Sequence, residues 1–179
     1  MQKISRLGAL LVLLPLVCLP VAGCGYALAG RGTFLPAHIR TIGVPAFVNH
    51  TSVFDVDRRI TEKVRSELIG RGRYTVNPDA TGDGILRGEI TSIRLDPSAF
   101  NAQRQAIRYA LVLTAKVEFI DSKDSKVIWS NPALTFREEY PVTGTAADPA
   151  AFFGQDVNAL DRMASEFART LVSAILEAF

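Results

Sequence analysis

Cysteine and histidine are nearly absent from this chain. Its 179 residues hold two of each. His38 and His50 fall in loop-like segments, with no partner cysteines and no HExxH spacing, so they read as solvated loop residues and no metal site is expected. No GxSxG elbow, P-loop or GxGxxG occurs, and the GRGR at 70–73 reads as a helix stop. Glu138 and Glu139 are neighbours on an expected strand, so they face opposite ways and cannot readily share one acid–base site. Asp121 and Asp124 belong to an expected hairpin turn. With no nucleophile beside a base and no cofactor motif, the chain reads as non-enzymatic. An excess of one charge sign is missing too. Lys+Arg number 20 and Asp+Glu 18, and Lys3 and Arg6 account for the difference. The part beyond them is balanced, which argues against a general nucleic-acid binder. The one long apolar run, Leu7 to Ala22, is shorter than the about 20 residues a membrane helix needs, and Pro15 and Pro20 interrupt it.

What is present begins with that run. A basic start followed by an uncharged stretch has the layout of a secretory signal. Val21-Ala22-Gly23-Cys24 resembles the bacterial lipobox: a branched apolar residue, two small residues, then the cysteine that carries the lipid. Cys18 competes poorly because bulky Val17 precedes it. Residues 1–23 are therefore expected to be a lipoprotein signal peptide, 24–37 a lipidated tether rich in glycine, and 38–179 a single domain. Cys24 would carry a diacylglycerol and an acyl chain. One chain holds a protein to a membrane only marginally, at about 0.8 kcal/mol per buried methylene, and two or three hold it stably. Gly25, rather than an aspartate, follows the cysteine, so the outer membrane is the expected address. Only the acylated Cys24 then remains, so no disulfide forms within the mature chain.

Periodicity outlines the domain. A short strand is expected over Ile39–Val44, then a turn-rich loop, "FVNHTS". Val56, Ile60, Val64 and Leu68 recur every four residues, which predicts a helix over 55–71 stopped by Gly70 and Gly72. Asp55 and Asp57 stand at the positive end of its dipole. A short strand over 73–76 follows. The next strand, 85–95, changes phase between Leu86/Ile90 and Ile93/Leu95, so a bulge is expected there, with Asp96-Pro97 as its end. From Ile107 through Tyr109, Leu111, Leu113, Ala115 and Val117 to Phe119, apolar residues alternate with polar ones, the pattern of a sheet covered on one side. Its aromatic residues, with Trp129 and Phe136 on the return strand, read as core packing. That return strand, 127–140, holds Asn131-Pro132 and so is an edge or bulged strand. The last helix spans about 149–178, with Asp148 as N-cap. Leu160, Ala164, Phe167, Leu171, Ala174, Ile175 and Ala178 form its buried stripe, and Gly154 delays its regular part to near Asp156. The sum is an α+β two-layer sandwich: a mainly antiparallel sheet of four to five strands with two helices packed on one face.

With these pieces in order the chain resembles the LPS-assembly lipoprotein family, LptE. The carrying stretches are "CGYAL", "VRSELIGRGRY", "RYALVLTAKVEF" with its return "KVIWSNPALTFREEY", and the final amphipathic helix. The resemblance implies a non-catalytic outer-membrane lipoprotein that plugs the β-barrel LptD, helps it fold, and helps place lipopolysaccharide in the outer leaflet. It also implies that basic residues at a loop end of the sheet meet the glycolipid. The matching stretch is "FNAQRQAIRY", whose Arg104 and Arg108 are the candidate contacts; guanidinium forks suit phosphates. The loop before the last helix, "VTGTAADPA", has no basic residue, so no second contact is expected from that side. "IGVPAFVNHT", a helix and "GRGRYTV" are also similar to curli-secretion and TolB-like periplasmic domains, which makes a scaffold of envelope assembly or secretion the alternative.

If Cys24 is the anchor, Cys24→Ala leaves an unprocessed, unlipidated precursor. Acyl labelling and gel mobility check this; normal processing of the variant would remove Cys24 from the role.

Overall fold

The computed structural model describes residues 35–71, 73–141, 149–155 and 157–179. Cys24, the expected signal peptide and most of the expected tether lie outside the described residues, as do Gly72, Asp148 and Asp156. In chain order the elements are β1 (Thr41–Gly43), β2 (Val48–Asn49), α1 (Val56–Gly70), β3 (Thr75–Asn77), β4 (Gly84–Phe100), β5 (Ala106–Asp121), β6 (Lys126–Pro141), α2 (Pro149–Gln155) and α3 (Val157–Leu176). The sheet runs β3-β1-β4-β5-β6, with β2 also beside β4. β4, β5 and β6 pair antiparallel and over nearly their whole lengths. The three short strands add parallel pairings, β1 with β3 and β4, and β2 with β4. The architecture is the expected α+β sandwich, with α1 and α3 packed together against the sheet.

β4 shows how the apolar face is kept continuous. Leu86, Gly88 and Ile90 stand opposite Phe119, Val117 and Ala115. The register then shifts between Ile90 and Ser92, and Ile93 and Leu95 fall opposite Leu113 and Leu111. One extra residue, Thr91, thus returns the out-of-phase pair to the core side, as the sequence pattern required. The expected stop at Asp96-Pro97 is not one. β4 continues to Phe100, with further register shifts between Pro97 and Ala99 and between Ala99 and Phe100. Proline is tolerated because β1 and β2 pair with β4 only as far as Ile90, so no ladder on that side asks Pro97 for an N–H. β6 is both an edge strand and bulged, with its register shift at the step from Asn131 to Leu134.

The expected "FVNHTS" loop holds β2. Asn49 then fixes the turn after it: its Oδ1 accepts the Thr51 N–H at 2.8 Å, and its Nδ2 donates to the Val53 carbonyl at 2.9 Å. Just before β2, the Phe47 ring lies over Gly88, where a Cβ would have no room. Thr61, buried in α1, accepts the Phe47 N–H at 3.0 Å and donates to the Asp57 carbonyl at 2.6 Å. Arg65 donates to the Val44 and Pro78 carbonyls, each at 2.7 Å. These bonds fix α1 against the ends of β1 and β3 and satisfy groups that burial would otherwise penalise.

Val56, Ile60, Val64 and Leu68 are all buried, which is the expected stripe of α1. Asp55 does not cap the helix through its side chain. It takes a left-handed backbone (φ 65°) and its carboxylate accepts from Arg58 and Arg59. The Arg58 hydrogen bond holds that carboxyl below its usual range. The last helix divides into α2 and α3, close to where Gly154 suggested. In α3 the buried set is wider than one stripe. Met163, Ala168, Val172 and Leu176 join Leu160, Ala164, Phe167, Leu171 and Ile175, because α3 is packed on both α1 and the sheet. Ala174 is only half-buried, and Ala178 lies exposed past the helix end. Phe167 is fully buried, its ring edge-on to Phe136 at 6.4 Å. Arg59 reaches Asp161 at 2.6 Å and Arg71 reaches Ser173 at 3.0 Å, joining the two long helices near both ends.

Phe167→Ala is expected to cost about 3–5 kcal/mol of stability, the usual loss for a fully buried phenylalanine. Glu166→Ala, at an exposed neighbour, should stay within about 0.5 kcal/mol. Denaturant titration checks both, and equal midpoints for the two variants would show that the seam at Phe167 is not where the domain is held.

Candidate functional site

The helical layer does not reach the far end of the β4–β5 hairpin. On β5 the side chains of Leu111 and Leu113 are buried, that of Tyr109 half-buried, and that of Ile107 exposed. The turn beyond is closed by its own hydrogen bonds. Asn101 Oδ1 accepts the N–H groups of Gln103 and Gln105 at 3.0 and 2.9 Å. The Asn101 carbonyl accepts the Arg104 N–H at 3.0 Å, and the Asn101 N–H donates to the Gln105 carbonyl at 2.9 Å. Asparagine serves well here because its short side chain can hydrogen-bond the backbone two residues on. Arg104 sits in this turn with φ 59°, the left-handed conformation that closes it.

Arg104 is therefore displayed at the tip, and Arg108 lies four residues along, in β5, with Ala99 and Pro141 as Cα partners. Both are exposed. Arg108 Nη1 lies 3.5 Å from Glu139 Oε2, and both side chains are well exposed to water, so the pair contributes little to stability and can exchange for another anion. Farther from the tip on the same open face, Arg94 and Arg137 flank Val112, while Asp96 and Glu139 flank Ala110. The small central side chains are buried on this face too, beneath the stems of their long neighbours. From Pro97 to Tyr109 the chain has no acidic residue. The structure thus brings Arg104 and Arg108 to one end of the sheet. The loop "VTGTAADPA" lies mostly outside the described residues.

Two groups that looked inert make contacts. His38, expected to be solvated, places Nε2 at 2.8 Å from Asp121 Oδ2. Asp121, expected in a hairpin turn, ends β5 and is buried, and its Oδ1 accepts the Lys123 N–H at 3.0 Å. His50 lies 3.5 Å from Glu89. Beside this, Asp83 accepts the N–H groups of Arg40 and Thr41 and the Thr41 hydroxyl, at 3.0, 2.9 and 2.8 Å. Those backbone hydrogen bonds, Arg40 first, hold its carboxyl below the ordinary value. His38 and Asp83 thus clasp the arm and the start of β1 to the end of β5 and the start of β4, at the end of the sheet away from Arg104. The sequence could not pair residues 83 positions apart. Glu138 and Glu139 do face opposite ways: Glu138 accepts from the Tyr140 hydroxyl at 2.8 Å, and Glu139 faces Arg108. Among the described residues, no group of three metal-binding side chains forms, and no helix is long and apolar enough to cross a membrane.

Comparison with known proteins places this geometry. A family model described as LptE, lipopolysaccharide-assembly, matches residues 39–175. No curated protein matches the chain in sequence. Among solved structures it is similar to the PelC dodecamer from Paraburkholderia phytofirmans, at 16% identity and TM-score 0.53, over 81% of this chain and 92% of that one. It is also similar to an uncharacterized lipoprotein B from Nitrosomonas europaea, at 12% identity and TM-score 0.51, over 85% of this chain and 90% of that one. At such identities these two likenesses speak for the fold alone.

Proposed function

The chain belongs to LptE, a lipopolysaccharide-assembly family of non-enzymatic lipoproteins, and from that premise we propose that it is the lipid-anchored partner and plug of the outer-membrane barrel LptD. In this role it supports the folding of the barrel and the insertion of lipopolysaccharide into the outer leaflet. Cys24 carries the anchor, residues 24–37 form the tether, and 38–179 form the domain that enters the lumen.

One observation carries the reading. The long β4–β5–β6 sheet is covered by helices on one face and presents the other, with Arg87, Glu89, Lys116, Glu118 and Thr135, to its surroundings. A barrel lumen is polar, and a rigid slab with one hydrophilic face suits it without burying unpaired charge. Lys116 lies between Glu89 and Glu118 at 3.9 and 3.3 Å, so these charges are already balanced within the sheet. The anchor arm docks at the β5–β6 turn end, which leaves the Arg104 tip free at the other. Arg104 and Arg108 there hold phosphates of the glycolipid. The same fold also serves in the PelC dodecamer, so a ring of identical copies is the reading to separate from this one.

Photo-crosslinkers at Thr114, Lys116 and Glu118 in cells are expected to capture one barrel protein. Capture of only further copies of this chain, at the mass of a ring, would replace the plug with the scaffold reading. For the lipid contact, Arg104→Asp combined with Arg108→Asp should weaken binding of the purified protein to lipopolysaccharide, most at low ionic strength where screening is least, and leave the barrel complex assembled. Unchanged binding at low salt would make both arginines ordinary surface residues.

A further inference from the structure

The tip that carries Arg104 also carries two large apolar side chains that stay about half exposed. Phe100 is 59% exposed and Ile107 48%. They are neighbours at the end of the ladder: Phe100 pairs with Ala106, and Ile107 follows it. Single exposed hydrophobic residues are ordinary. These two flank one turn, closed by the Asn101 hydrogen bonds, and stand beside Arg104 and Arg108 in a stretch without acids. A tip with an apolar part and a cationic part has the complementarity of an acylated, phosphorylated lipid, whose phosphates lie directly above its chains.

A second arginine pair shows what such a site needs. Arg71 and Arg73 line a cavity of about 140 Å³ with Tyr74, Ser173, Leu176 and Glu177. That cavity lies where the C-terminal ends of α1 and α3 converge, and their carbonyls disfavour an anion. Arg71 is also held by Glu67 at 2.9 Å and by Ser173. The arginines there serve the helix ends. At the hairpin tip no helix end among the described residues opposes an anion, and the carboxylate paired with Arg108 is the exposed Glu139 at 3.5 Å.

We propose that the β4–β5 tip is a lipid wedge: Phe100 and Ile107 enter the acyl layer of lipopolysaccharide while Arg104 and Arg108 hold its phosphates. The wedge deepens the glycolipid contact proposed above and rests on it. Apolar burial then contributes a salt-independent part of the binding, and the arginines a salt-dependent part. Because neither side chain belongs to the buried core, both can meet a ligand without loss of core.

The test uses the purified full chain and two probes, intact lipopolysaccharide and the same glycolipid stripped of its acyl chains. Phe100→Ser with Ile107→Ser should weaken binding to the intact probe by about tenfold or more, at low and high salt alike, and leave binding to the stripped probe unchanged. The arginine double variant should weaken binding to both probes at low salt. If only the arginine variant weakens binding, the contact stands and the wedge is wrong. If neither does, both are wrong. If the serine variant loses the barrel protein in co-purification while binding lipid normally, the apolar pair docks on protein and the wedge is wrong. An unchanged melting temperature confirms that the serine variant is folded. Phe100→Trp in a Trp129→Phe background gives a second reading: its emission should move to the blue with intact lipopolysaccharide alone, and an unmoved emission would overturn the wedge.

Discussion

A sheet buried on one face only imposes a demand on every strand in it. Each apolar residue must keep its phase along the strand, or it turns outward into water. β4, β5 and β6 are long, and a strand reverses the side of every residue after a one-residue slip. β5 alternates buried and half-buried residues from Leu113 to Asp121. β4 and β6 keep their phase by register shifts, at Thr91 and beside Pro132. The seam that the helices fill, with Phe167 edge-on to Phe136, depends on those two corrections. So does the contrast between an inner face that is mainly apolar and an outer one that carries most of the charged side chains, on which the proposed fit to a barrel rests.

Where the physics is local, the sequence shows it. The four-residue recurrence in α1, the phase change in β4 and the proline of β6 each have one remedy, and the structure contains it. The end of β4 was misread because Asp-Pro usually stops a strand, and nothing in the sequence tells that β4 has lost its outer neighbour by that point. β2 escaped notice because two residues have no period. His38 and Asp121 could not be paired, since their meeting depends on how the arm before β1 docks on a distant turn. In α3 the stripe was read as one face, whereas contact with both α1 and the sheet buries a broader arc.

The candidate site was half legible. Arginine draws attention as a phosphate ligand, so Arg104 and Arg108 could be named from sequence. Phe100 and Ile107 could not, because an apolar residue in a strand reads as core until the length of the covering helices is known. The missed signal was the run from Pro97 to Tyr109, which holds two arginines, four aromatic or aliphatic residues larger than alanine counting Pro97, and no acid. For a family that works without catalysis, such surface chemistry is where specificity resides.

The hairpin that outruns its helices also divides the molecule by cooperativity. Amides of α1, α3 and the covered half of the sheet are expected to open only with the whole domain, while those between Pro97 and Tyr109, held mainly by the β4–β5 ladder and its turn, are expected to exchange through local opening. Substitutions at the tip therefore escape the stability threshold that governs the core.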